Sequence, residues 1–358
     1  MPRYAILADG GFDAFQAKTG NAILRYRPGE AVAVIDSSRA GSTAQEVLGY
    51  GGPVPVVASL DEALRYAPDT LLIGVNTEGG RLEEAWRPLL LRALREGLDV
   101  VSGLHVRLQE DEQLHREALH GGRRLVDLRF TPRERQVPFR GVWRERTVPV
   151  VLSVGSDANL GKMTTLLDVH HALVDAGIRS TFVATGQTGI LIEGRGVSVD
   201  ALTADFLAGT IEAEVEDAIA GTDPDVVLVE GQGALVHPMY SGITLALLHG
   251  TAPDAMVFVH RPPRRMNRYN VRIPPVRDMI RLYEQMAALI RPAPVIGIGI
   301  NELGMDDETY LRETERIEAE TGLPTVATTR VGAQRLADAV VGHLRLGSRA
   351  PAPRATIA

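Results

Sequence analysis

Glycine, lysine and hydroxyl residues converge in one run of this chain, Gly155-Ser156-Asp157-Ala158-Asn159-Leu160-Gly161-Lys162-Met163-Thr164-Thr165. An apolar stretch at 149–154 precedes it and a helix-like stretch at 162–175 follows. A phosphate cradle needs three physical things. Backbone N–H groups must point inward, which wants glycine where a side chain would collide with phosphate. A helix must begin there, so that its unpaired N–H groups and dipole face the anion. A lysine must reach the terminal phosphates, and Gly161-Lys162 supplies one at the expected helix start. All of 155–165 is therefore expected to line a cofactor's phosphates.

Two features depart from the usual pattern. Ser156 stands where the first glycine ordinarily sits, with Gly155 one place earlier. Met163 follows the lysine, where a magnesium-holding hydroxyl is usual. That leaves Thr164 as the candidate metal hydroxyl, with acids such as Asp157 or Glu230 beside it. The plain alternative is a glycine turn entering a core helix, with Lys162 on the surface. Met163, Leu166, Leu167 and Leu173 have the spacing of a buried helix face.

The elements that must position this run repeat along the chain. Short apolar runs alternate with amphipathic stretches, the pattern of a parallel sheet covered by helices. In the first half, strands are expected at 4–8, 31–35, 54–57, 70–75 and 99–102, and helices at 61–66, 81–96 and 110–119. This reads as a Rossmann-like domain over 1–130. Residues 131–147 are rich in Pro and Arg without a clear period and read as a linker. A P-loop domain is expected over 148–347, with strands at 149–154, 181–184, 226–229, 255–259, 295–300 and 325–328. Helices are expected at 162–175, 201–219, 276–289 and 306–321. The Pro- and Ala-rich residues 348–358 read as a flexible tail.

The chain has 358 residues, enough for two domains. Hydrophobic residues make up 45% and charged residues 23%, an ordinary balance for a globular protein. It has no cysteine, which excludes disulfides, thiolate metal sites and thiol nucleophiles and favours a cytoplasmic home. No signal-peptide pattern or membrane-spanning apolar run is read, so no membrane partner is expected. A net charge of −7 argues against nucleic acid as a partner. A small-molecule substrate and a homo-oligomer are the partner expectations. No His/Asp/Glu set has zinc spacing.

The spacing Gly-Ser-Asp-x-x-x-Gly-Lys resembles the loop of dethiobiotin synthetase and its relatives. Val229-Glu230-Gly231-Gln232-Gly233, at an expected strand end, is similar to the Glu-Gly-x-Gly element of that group, where a carboxylate lies near metal and phosphates. Gly297-Ile298-Gly299-Ile300-Asn301 is a third strand end, and in that group an asparagine here reads a nucleotide base. The plain readings are an ordinary loop acid for Glu230 and a turn former for Asn301. All three segments fall at the carboxyl ends of expected parallel strands, where open α/β sheets bind ligands.

The whole chain more closely resembles a bacterial two-domain family, domain of unknown function 1611. The residues that carry this are Ala8-Asp9-Gly10-Gly11-Phe12, Lys18-Thr19, Val34-Ile35-Asp36 and Arg39-Ala40-Gly41 in the first half. In the second half they are Gly161-Lys162-Met163-Thr164-Thr165, Gln187-Thr188-Gly189, and Glu230-Gly231-Gln232-Gly233-Ala234-Leu235-Val236-His237-Pro238. Tyr240-Ser241-Gly242 and Leu247-Leu248-His249-Gly250 follow. Met163 fits this family's pattern.

The resemblance implies an N-acetyltransferase of an acidic amino acid, with D-glutamate the named candidate and acetyl-CoA the donor. On that reading the pyrophosphate of coenzyme A takes the Lys162 cradle and the adenine meets Asn301. Glu230 and His237 are the candidate bases, and backbone N–H groups around Gly231 and Gly233 are candidates for the oxyanion. Gln232, Tyr240 and Arg264 are candidate substrate contacts, as are Lys18 and Arg39 for a carboxylate across the domain cleft. Their plain readings are a turn at His237-Pro238 and solvated charge at Lys18, Arg39 and the run Arg261 to Arg265. His170, His171 and His249 read as structural. Gly10-Gly11 lacks the rest of a dinucleotide fingerprint, so NAD is not expected. ATP with magnesium is the alternative ligand, in a ligase or kinase of a small carboxylate or amine. A third possibility is a nucleotide sensor without catalysis.

Overall fold

The fold was read from a computed structural model that describes residues 1–262 and 264–347, the side chain of Glu78 excepted. The expected 348–358 tail lies outside the described residues. The chain divides into two compact units. The first comprises Met1–Phe130 with Ile190–Gly194; the second comprises Thr131–Gly189 and the described residues from Arg195 onward.

In the first unit, six short strands form one parallel sheet. They are β1 Tyr4–Leu7, β2 Ala31–Ile35, β3 Val56–Val57, β4 Thr70–Ile73, β5 Asp99–Ser102 and β6 Leu125–Asp127. Their spatial order is β3-β2-β1-β4-β5-β6, with Leu7 paired to Ile35 on one side and Ile73 on the other. Continuous apolar runs such as Tyr-Ala-Ile-Leu are buried along their whole length because both sheet faces are covered. The helix Lys18–Tyr26 packs so tightly that a Cβ on Gly20 would lie 2.6 Å from Ile6 Cγ2. Gly20 N–H also donates to Gly74 O at 3.0 Å.

Several elements differ from expectation. The 81–96 helix begins only at Arg87, because Pro88 sits in its first turn and the preceding 84–86 form a tighter turn. β6 and the helix Lys18–Tyr26 were not anticipated from sequence; β6 has three residues, and the helix carries a glycine and no N-cap side chain.

The second unit repeats the architecture with β7 Val150–Gly155, β8 Ser180–Val183, β9 Val226–Val229, β10 Ala255–His260, β11 Val295–Ile300 and β12 Thr325–Val326. All pair in parallel in the order β12-β11-β10-β7-β9-β8. The order reverses at β7, which lies between β10 and β9. Leu152, Val154, Val227, Met256, Phe258 and Tyr283 belong to one buried apolar core. The helix Lys162–Asp175 has the bounds expected from its apolar spacing, with Leu166, Leu167 and Leu173 fully buried and Met163 half-buried. Helices Ser241–Thr251 and Gln334–Leu344 add to the cover, and the 201–219 helix runs instead over Leu207–Thr222.

Residues 131–147 are not a free strand of chain. The helix Leu207–Thr222 grips them through side chains that bond their backbone. Glu212 accepts from Arg140 N and Val142 N, each at 2.8 Å, and Thr210 Oγ1 accepts from Val137 N at 3.2 Å. Gly209 lets the two segments touch; a Cβ there would lie 2.2 Å from the Val137 carbonyl oxygen. Nothing in the 131–147 composition signals this, because the acceptors lie some seventy residues further along.

Candidate functional site

The carboxyl ends of β7, β9, β10 and β11 carry the site. After β7 the backbone turns through Asn159 at φ +56° and Gly161 at φ +87°, and the helix starts at Lys162 without a side-chain cap. Its first N–H groups and positive dipole end therefore face the turn. Gly155 is dictated by packing: a Cβ would lie 2.7 Å from Val259 O on β10. Ser156 fits the next place because its hydroxyl bonds His260 Nδ1 at 2.8 Å and its N–H bonds Val259 O at 3.0 Å. Lys162 is buried, and its ammonium donates to Asp157 O across the turn at 2.8 Å. The surface-lysine alternative is thereby excluded.

Glu230 follows β9 and is buried. Its Oε2 accepts from Thr185 N at 2.9 Å and Gly186 N at 3.2 Å, and its Oε1 from Gln232 Nε2 at 2.9 Å. Burial nevertheless dominates and pushes its carboxyl up to about 7; the N–H donors and the Lys162 charge only moderate the rise. Glycine is enforced around it. A Cβ on Gly189 would lie 2.7 Å from Glu230 Oε2, and one on Gly231 only 1.6 Å from Ser153 O. Gly231 N–H donates to Ser153 Oγ at 2.8 Å, so it is committed to β7 rather than turned toward an oxyanion.

His237 is buried in the next turn. Its ring stacks on Tyr240 at 4.7 Å and meets the edge of Tyr269 at 5.3 Å. Its Nε2 lies 3.9 Å from Asp157 Oδ1, and its Nδ1 is buried without a hydrogen-bond partner. Burial, with the charges of Arg268 and Lys162, holds its pKa below the usual histidine value, although Asp157 acts the other way. Asp157 Oδ2 pairs with Arg264 at 2.8 Å. Thr244 Oγ1 donates to Gln232 O at 2.8 Å and ties this turn to the helix Ser241–Thr251.

Asn301, at the end of β11, donates through Nδ2 to Leu160 O at 3.1 Å and accepts from Leu303 N at 3.1 Å. It braces the phosphate turn. Thr164 is half-buried, whereas Thr165 packs under Gly299 of β11, where a Cβ would lie 2.6 Å from Thr165 Cγ2. The acids named beside Thr164 for magnesium have other partners, Arg264 for Asp157 and three N–H donors for Glu230. Among the described residues no group of three His, Cys, Asp or Glu side chains could hold a metal.

The structure thus brings 155–165, Glu230, Gln232, His237, Tyr240, Arg264 and Asn301 to the carboxyl-terminal end of the second sheet. Sequence reading missed three members. Ser153 and Tyr283 carry no local motif, and Tyr269 lies in a loop read only for its arginines. Lys18 and Arg39 belong to the first unit. Lys18 is half-buried at the start of its helix, and burial pulls its ammonium down to about 8. Arg39 is exposed. Asp36, which a dinucleotide site would turn toward a ribose, instead accepts from Phe12 N and Ser38 N, each at 2.9 Å. Among the histidines read as structural, His170 Nδ1 bonds Ser180 Oγ at 3.0 Å and His249 Nε2 contacts Met286 O at 3.2 Å.

Fold and site define an α/β protein with a Rossmann-like domain and a P-loop domain. Residues 137–337 match the family described as "Domain of unknown function (DUF1611_C) P-loop domain", and residues 37–131 match "Domain of unknown function (DUF1611_N) Rossmann-like domain". The chain belongs to the DUF1611 family. It is 37% identical over 342 residues to a protein of Tritonibacter scottomollicae named D-glutamate N-acetyltransferase, covering 94% of this chain and 98% of that one. It is 34% identical over 293 residues to a protein of the same name from a Pseudoalteromonas species, covering 80% and 84%. A crystal structure of a DUF1611 family protein from Anabaena variabilis superposes with a TM-score of 0.90 at 39% identity, covering 96% of this chain and all of that one. No helix among the described residues is long and apolar enough to cross a membrane.

Proposed function

We propose that the protein is an N-acetyltransferase that moves the acetyl group of acetyl-CoA to the amine of an acidic amino acid, with D-glutamate the first candidate. The observation that carries this reading is the likeness, along nearly the whole chain, to relatives bearing that name. The chemistry of the site is compatible with it. The Lys162 ammonium and the uncapped helix start suit the pyrophosphate of coenzyme A.

In the reaction the amine nitrogen attacks the thioester carbonyl. A C–N bond forms, the C–S bond breaks, and the amine proton passes through a base to the departing thiolate. Glu230 is the preferred base, because a carboxyl near 7 can both take and return a proton at neutral pH. His237, seven residues further along and with its pKa lowered by burial, is the second candidate, with a buried Nδ1 that has no protein partner. No step is assigned to a metal.

The test is direct. Purified protein with acetyl-CoA and D-glutamate, then L-glutamate, should release free thiol in proportion to acetylated product. ADP release from ATP and magnesium without thiol release would replace this reading with a ligase or kinase. Binding of coenzyme A or ATP with neither product would point to a sensor.

A further inference from the structure

The segment between β10 and the helix Val276–Ala288 carries five arginines, Arg261, Arg264, Arg265, Arg268 and Arg272, and no acid up to Pro275. That is a sharp local excess in a chain of net charge −7. Its outer part folds as a small hairpin. Met266 and Arg272 form an antiparallel bridge, Asn267 N donates to Val271 O at 3.0 Å, and Ile273 N to Arg265 O at 2.8 Å. Asn267 is the buried centre of the turn. Its Oδ1 accepts from Tyr269 N at 2.9 Å and Val271 N at 3.0 Å. Those two bonds fix the orientation of its amide and leave Nδ2 as a buried donor without a partner.

The hairpin is seated on the candidate site. The rings of Tyr269 and His237 meet in a T-shaped contact at 5.3 Å, and the charge of Arg268 helps hold the imidazole pKa down. The arginines are not equivalent. Arg264 is spent on Asp157, and Arg261 donates to Leu303 O. Arg268 lies over the Tyr269 ring at 4.9 Å, donates to Tyr269 Oη at 2.7 Å and contacts Met239 Sδ at 3.4 Å. A phenol and a thioether orient a guanidinium without neutralising it. Buried polar atoms in folded proteins nearly always find partners. Asn267 Nδ2 and His237 Nδ1 are two that do not, and both residues contact Tyr269.

We infer that the 265–273 hairpin is the acceptor-recognition element of this site, and that Arg268 reads the side-chain carboxylate of an acidic acceptor. The inference rests on the transferase reading above. It also replaces the sequence-based choice of Arg264 for that task, because Arg264 is already paired. A guanidinium binds a carboxylate in two parallel hydrogen bonds, which an amide cannot reproduce. The competing anion of the same chemistry is a phosphate of coenzyme A. Arg268 bonds Tyr269, whose ring meets the candidate base His237, and that contact favours the acceptor.

The test measures binding and turnover separately. Calorimetric affinities for D-glutamate, D-glutamine and coenzyme A are compared in the wild type, R268A and R268K. R268A should bind D-glutamate about 10- to 100-fold more weakly, with D-glutamine and coenzyme A within a few-fold of wild type. R268K should fall between. In turnover the change should appear in KM for D-glutamate rather than in kcat. An unchanged glutamate-to-glutamine ratio in R268A overturns the inference, as does a loss confined to coenzyme A, or a wild type that binds neither amino acid. Loss of D-glutamate binding in R268A, from a wild type that releases no thiol, keeps Arg268 as a carboxylate-binding residue and removes the transferase reading. Thiol release with unchanged discrimination does the reverse.

Discussion

The phenol of Tyr283 donates a 2.7 Å hydrogen bond to the carbonyl of Gly155 and accepts one from Leu235 N at 3.1 Å. One buried side chain, on a helix after β10, thus fixes the phosphate turn and the turn carrying His237 to each other. Burial pushes its phenol up well above the usual tyrosine value, so it stays a donor. Tyr283→Phe keeps the ring and strands two backbone groups. Stability should fall by about 1–3 kcal/mol, read as a lower denaturant midpoint at constant slope. Coenzyme A should bind more weakly in the same variant, since the turn loses its tether.

Lys162→Ala removes the ammonium beside the helix start. Coenzyme A and ATP should each lose at least about tenfold in affinity. The thermal shift that either ligand gives the wild type should shrink accordingly. Equal shifts in the two proteins would refute the cradle.

Glu230→Gln should lower kcat by roughly 10²- to 10⁴-fold, the usual worth of a general base. In the wild type kcat/KM should fall as pH drops below about 7, where the carboxyl protonates. Stability gives a second readout with the opposite slope. The folded value, about 7, lies above the reference 4.5, so the native state holds this proton more tightly. The stability it contributes is complete below 4.5 and lost as pH rises through 7. Melting temperatures of wild type and E230Q should therefore move apart between pH 5 and 8, in favour of the variant.

Gly231→Ala tests packing rather than chemistry. The new Cβ would fall 1.6 Å from Ser153 O, a backbone atom within β7 that has nowhere to move. Destabilisation at or above about 3 kcal/mol is expected, with loss of soluble protein on expression as the simplest readout.

His170 is held neutral by burial, which pulls its pKa from 6.5 to about 4. The unfolded chain takes up the proton first, so stability is lost as pH falls from 6.5 toward 4. His170→Gln should flatten that part of a denaturant-midpoint profile. An unchanged profile would mean that the imidazole is solvated enough to charge in the folded state.

The sequence by itself determined the parallel architecture of both units, because apolar runs of strand length were long enough to be buried on two faces. It also determined the turn from Gly155 to Lys162, since glycine, lysine and helix start are contiguous and their chemistry is local. Glu230 and Asn301 were legible as strand-end residues, whereas His237 was legible only through the family resemblance. Only the tertiary structure decided their partners. Asn301 turned out to brace Leu160 and Gly231 to bond Ser153, while Arg264 is spent on Asp157 and Arg268 lies over the Tyr269 ring. It also turned 131–147 from a linker into a segment gripped by Thr210 and Glu212. Such pairings join residues tens to more than a hundred positions apart. Local periodicity carries no record of them, because they are set by which strand ends the sheet order makes neighbours.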